Sequence, residues 1–233
     1  VLAAGSRAEV ERAAGRAAAA VDLRGRAVYP GFADAHLHLA GIGLAQMQAD
    51  LVGTRSFAEV VERARRAAAS LPAGAWLQGR GWDQNDWQVT DFPTHAALSA
   101  AVPDRPALLT RVDGHALLAN AAAMRAAGVT AATAAPPGGR ILRDAAGAPT
   151  GVFVDAAMSA ILHAVPAPSA AELEHAVLLA QDAVHAQGIT AVHDAGVGAA
   201  ELEIYERLAR QDQLQLRVHA MLDGSDAALL AGW

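Results

Sequence analysis

The chain has 233 residues, enough for one large domain or two small ones, and its 53% hydrophobic against 18% charged content excludes a disordered tail. A formal net charge of −6 removes any basic face for nucleic acid or acidic lipid, and the absence of cysteine excludes a disulfide scaffold, a thiolate metal site and a cysteine nucleophile. All 18 basic residues are arginine, so the chain also lacks a Schiff-base lysine, a P-loop lysine and a carbamylated-lysine metal bridge. No apolar stretch approaches the roughly 18 residues of a membrane helix. Residues 1–20 lack a signal-peptide core, and a cytoplasmic protein is the expectation.

In chain order, residues 1–20 read as a short helix, with Ser6 as N-cap and Glu9 at capping-box spacing. Residues 20–29 suggest two short extended pieces of a small β unit, turning at Arg24-Gly25-Arg26 and punctuated by Pro30-Gly31. The stretch 32–39 alternates. On a strand it places Asp34, His36 and His38 on one face and Ala33, Ala35, Leu37 and Leu39 on the other, with Gly41 and Gly43 opening a loop after it. Ser56 and Glu59 open a helix that Pro72 ends. A short strand is expected at 75–79, followed by a polar-aromatic loop carrying Trp82, Asp83 and Trp87. A further strand at 107–112 leads through Asp113-Gly114-His115 to a helix over about 116–127, closed by Gly128. Residues 140–144 and 150–155 flank a turn and read as a hairpin. The last third alternates regularly: a helix capped by Ser169 and Glu172, a strand at 189–194, a helix over about 200–210 and a strand at 214–220. This alternation implies an α/β fold with a parallel sheet, in which chemistry sits at the carboxyl ends of the strands. His38, Asp113, His193, Asp194 and His219 all fall there.

His36-x-His38 carries the most chemistry. Two imidazoles on one strand face can reach a single ion through bonds of about 2.0–2.1 Å, with Asp34 placed to orient one of them. Two histidines are still only half a metal site, and equally fit a non-metal α/β small-molecule-binding domain. Asp155 ends a strand and reads as a pocket-lining or structural carboxylate, or as a bridging ligand. His193 and Asp194 point to opposite faces, so one lines a pocket and the other packs or caps. His115 could bind a polar group at its turn, where Asp113 could alternatively be an ordinary helix cap. Trp82, Asp83 and Trp87 could wall a substrate or pack. His95, His163, His175 and His185 show no partner pattern.

The stretch Tyr29-Pro-Gly-Phe-Ala-Asp-Ala-His-Leu-His-Leu39 resembles the first-strand signature of the amidohydrolase superfamily. Further stretches resemble its family 3 branch, the YtcJ-like group: Gly79-Arg-Gly-Trp-Asp83, Arg111-Val-Asp-Gly-His115 with Asn120, Thr150-Gly-Val-Phe-Val-Asp155, and Gly188-Ile-Thr-Ala-Val-His-Asp-Ala-Gly196. The resemblance implies a hydrolase acting on a carbon–nitrogen bond of a small non-peptide amide. It implies a (β/α)8 TIM barrel with a small β-sandwich: residues 1–30 belong to the sandwich, and 31–233 form an incomplete barrel, about three βα units, with an insertion at about 54–170. By the same resemblance His36 and His38 bind one or two divalent ions, zinc first, although iron, manganese or nickel also accept imidazole. The ion activates a water, and a carboxylate expected beyond this chain moves the proton. Trp82, Asp83, Asp113, His115, Asp155, His193 and His219 are then candidates for the substrate pocket. The implied partner is a small-molecule substrate, a homodimer is compatible, and this length of chain is expected to be inactive by itself.

Overall fold

The computed structural model describes residues 3–15, 19 and 21–232. Helix α1 (Arg7–Ala14) begins where Glu9 accepts hydrogen bonds from the backbone N–H and the hydroxyl of Ser6, and it is exposed along its length. The rest of the helix expected over 1–20 falls partly outside the described residues. Residues 21–31 contain no strand, and Val21, Val28 and Tyr29 are exposed, so the expected β unit does not form. Two short strands with no packed face are not independently stable in water.

From there the elements run β1 (Phe32–Leu37), α2 (Leu39–Gln46), β2 (Ala49–Asp50), α3 (Phe57–Ser70), β3 (Leu77–Trp82), α4 (Ala96–Ala101), β4 (Ala107–Arg111) and β5 (Ala116–Ala119). They continue as α5 (Ala121–Ala126), β6 (Gly139–Arg143), β7 (Pro149–Asp155), α6 (Ser159–Leu162), α7 (Ala170–Ala186), β8 (Ile189–Val197), α8 (Ala199–Arg210), β9 (Arg217–Leu222) and α9 (Ala227–Ala231). Strands β1, β8 and β9 form a parallel sheet in that order. The second sheet has the order β2-β3-β4-β5-β7-β6, parallel as far as β4 and antiparallel beyond it.

The second sheet explains one departure from the sequence reading. Residues 116–119 are a strand, and the helix expected over 116–127 is confined to α5. Leu108 and Leu117 enter one apolar cluster while Leu109 and Leu118 enter another. Both faces of this sheet are therefore covered, and a strand buried on both sides shows no alternation to distinguish it from a buried helix. Asn120 makes the break: its carboxamide oxygen caps α5 at Ala123 N–H and accepts from Ala107 N–H, and its amide donates to the Val102 and Arg105 carbonyls.

The three-stranded sheet has its own core, in which Leu37, Leu39, Val177, Ala180, Val192, Ile204 and Leu208 pack beneath α2, α7 and α8. Here the second departure occurs: 39–46 is helix α2 rather than a loop. Gly43 is what lets α2 lie against α7, because a Cβ there would sit 1.8 Å from the Ala176 carbonyl oxygen. Glycine-to-alanine inside a helix ordinarily gains about 1 kcal/mol of propensity. At this contact overpacking dominates, and Gly43→Ala is expected to lower stability by about 1–3 kcal/mol in chemical denaturation. An unchanged or raised stability contradicts the close approach.

Candidate functional site

The two imidazoles of the 36–38 stretch project from the same side of the chain. Leu37 and Leu39 are buried, His36 and His38 are exposed, and the histidine rings stand edge-to-face with centroids 5.6 Å apart. Leu39 is 0% exposed, and burying such a side chain contributes about 1.5–3 kcal/mol, which pins the backbone on both sides of His38. His38 Nδ1 lies 2.8 Å from the Ala195 carbonyl oxygen. A carbonyl only accepts, so Nδ1 carries the proton and Nε2 keeps its lone pair outward.

A buried carboxylate sets this junction. Asp194, 3% exposed and three residues before the end of β8, accepts the backbone N–H of Leu39 at 2.8 Å and the hydroxyl of Tyr205 at 2.5 Å. Leu39 is the first residue of α2, so a carboxylate from the neighbouring strand caps that helix, where negative charge is also favoured by the helix dipole. Burial, and then the bond to Asp194, push the Tyr205 hydroxyl well above the usual phenol range, so it remains a donor. Among the sequence candidates, Asp194 is thus the packing member of the 193–194 pair and His193 the exposed one. His193 pairs in register with His219 on β9, their rings 4.9 Å apart. Both lie on the face opposite Val192 and Asp194, the open face that His36 also occupies.

Asp34 departs from expectation. The β1–β8 register pairs Asp34 with Val192 and Leu37 with Asp194, three steps against two. That extra residue breaks the simple alternation, and by its pairing Asp34 falls with Val192 rather than with His36. Its carboxylate accepts the His36 backbone N–H at 3.0 Å, fixing the bulge instead of orienting a ring.

The remaining candidates sit in the second sheet. Trp82 is 1% exposed with its indole N–H donated to the Leu109 carbonyl, so it is core and not a substrate wall; Trp87 is buried with its N–H on the Thr54 carbonyl, and it also lines a cleft of about 720 Å³. Asp83 caps a short turn by accepting from Asn85. Asp113 caps no helix: it accepts the His115 N–H within the β4–β5 turn and pairs with Arg111. The Arg111 guanidinium holds the Asp113 carboxyl at about 2, below its ordinary 3.8. His115 meets Asp155 at 2.9 Å.

The donor set can be tested against the ion that the sequence implies. His36 and His38 supply two outward imidazoles, and two nitrogens are half of a tetrahedral zinc shell. Among the described residues no group of three or more His, Cys, Asp or Glu side chains is placed to hold a metal ion. Neither His36 nor His38 lines the clefts of about 600 and 720 Å³. Among the described residues no helix is long and apolar enough to cross a membrane. Sequence reasoning missed the Asp194–Leu39–Tyr205 bonds; the one local hint was an acid directly after a strand histidine. Tyr205→Phe leaves Asp194 Oδ2 without its donor in the core while Oδ1 keeps the Leu39 N–H, and we expect a loss of about 1–3 kcal/mol in denaturant-induced unfolding; no loss would show the bond to be idle.

Comparison with known proteins adds the following. The family model described as the amidohydrolase family matches residues 19–233. YtcJ of Bacillus subtilis (strain 168) is 35% identical over 207 residues, covering 87% of this chain and 39% of that protein. The N-substituted formamide deformylase of Arthrobacter pascens is 35% identical over 211 residues, with the same shares. The crystal structure of an uncharacterized metal-dependent hydrolase from Pyrococcus furiosus superposes with a TM-score of 0.63 at 27% identity, over 83% of this chain and 37% of that one. The chain spans about two fifths of the length of these curated relatives.

Proposed function

Since this chain belongs to the amidohydrolase family, we propose that it carries the metal-holding end of a hydrolase that cleaves a carbon–nitrogen bond in a small, non-peptide amide. The observation that carries this reading is the His36–His38 pair, two exposed imidazoles on one side of a strand end. Family membership and the relative named as an N-substituted formamide deformylase support the carbon–nitrogen class. We read β1, β8 and β9 as the first three strands of a (β/α)8 barrel, joined through helices, and about 54–170 as an insertion between the first and second. Residues 1–30 stay assigned to a sandwich by resemblance alone, and a cytoplasmic location is part of the same proposal.

His36 and His38 would hold the ion. When bound, a divalent cation polarises a carbonyl oxygen and lowers the pKa of water at the site. The chain's own residues do the positioning. Ala195 fixes the tautomer and rotation of His38, so that Nε2 faces the open side. Asp194 seats the start of α2 behind it. His193 and His219, side by side on the same open face, are placed to hydrogen-bond a polar substrate group. A second reading is that this length of chain binds the ion weakly and turns over nothing by itself, two imidazoles being half of a tetrahedral shell.

Calorimetric titration with zinc tests the proposal. His36→Ala with His38→Ala is expected to weaken binding by about tenfold or more, while the melting temperature stays nearly constant because both side chains are exposed. Unchanged zinc affinity in that variant overturns the assignment.

A further inference from the structure

A second pair of functional groups lies in the other sheet, away from the metal candidates in the chain. His115 follows the β4–β5 turn, and Asp155 ends β7, 40 residues later. Their side chains are 70% and 50% exposed, and His115 Nδ1 is 2.9 Å from an Asp155 oxygen. The carboxylate can only accept, so in the neutral imidazole Nδ1 holds the proton and Nε2 is bare. Two backbone pairings and one side-chain acceptor hold this arrangement: Asp155 N–H donates to the His115 carbonyl, Ala116 pairs with Val154, and His115 N–H donates to the Asp113 carboxylate.

Asp155 adopts φ 50° and ψ −125°, close to the first central position of a type II′ turn, which favours glycine. Glycine would sit there without strain. An exposed pair returns little stability, so the strained aspartate is not accounted for by the folding energy of the pair it makes. Backbone strain of this kind collects at functional positions.

We propose that His115 is a ligand-contacting hydrogen-bond acceptor, its Nε2 receiving an N–H or O–H group of a small molecule, with Asp155 as the positioning residue that fixes the tautomer. The assignment stands whether or not His36 and His38 hold an ion.

Diethyl pyrocarbonate reads out a bare imidazole nitrogen. The Nε2 lone pair attacks a carbonyl carbon and ethyl carbonate leaves. The Nδ1 proton passes to Asp155 and then to the leaving group as it breaks down to ethanol and carbon dioxide. With modification followed by peptide mass mapping on the 233-residue chain, His115 is expected to react about two- to fivefold faster than exposed His163, and Asp155→Gly to remove that advantage. Glycine suits the turn, so a folded variant is expected, and its melting curve checks this. ¹⁵N NMR should show Nδ1–H at His115 in the wild-type chain and a shift toward Nε2–H in Asp155→Gly. N-methylformamide in large excess should slow modification of His115, whereas N,N-dimethylformamide, which has no N–H, should not. Equal rates for His115 and His163, an Nε2–H tautomer in the wild type, or equal protection by both amides would each overturn the proposal.

Discussion

A single buried carboxylate organises the end of the three-stranded sheet. Asp194 satisfies the first amide of α2 across 155 residues of sequence and receives the Tyr205 hydroxyl from α8, so one side chain joins β8 to the helices that follow β1 and β8. Leaving that amide or that carboxylate unpaired in the core would cost about 1–3 kcal/mol for each group. With the start of α2 fixed, His38 has little freedom: buried leucines flank it, and its Nδ1–H is held by the residue after Asp194. The exposed imidazoles owe their placement to bonds on the opposite, apolar face of the same strands.

What could be read from sequence was what local chemistry dictates. Ser6, Ser56 and Ser169, each with a glutamate three residues on, start α1, α3 and α7, and period two put His36 and His38 together. What could not be read depends on partners far along the chain. Gly41 and Gly43 suggest a loop until α7 arrives to explain Gly43. The run 116–119 cannot declare itself a strand without β4 and β7 beside it. The extra residue between Asp34 and Leu37 is visible only against β8, and it is what separates Asp34 from the imidazoles. Period two showed that only one of His193 and Asp194 could pack, but which one, and the two donors to Asp194, were not legible.

The second sheet shows how aromatic and polar residues that look functional can be structural. Trp82 and Trp87 end inside a core with Phe57 and Phe92 nearby, their indole N–H groups satisfied by carbonyls, which is how buried tryptophan normally settles. Asn120, fully buried, spends both ends of its carboxamide on backbone. By contrast His115 and Asp155 are exposed, joined, and strained where they meet. Burial with complete hydrogen bonding separates the first group from the second more clearly than residue type does.

On this reading the sheet presents His36 and His38 to one ion. X-ray absorption at the zinc edge, on the chain loaded with one equivalent of zinc, counts imidazoles directly through their scattering. A shell containing two imidazole nitrogens at about 2.0–2.1 Å, completed by oxygen, is expected. A shell with one imidazole or none would contradict it.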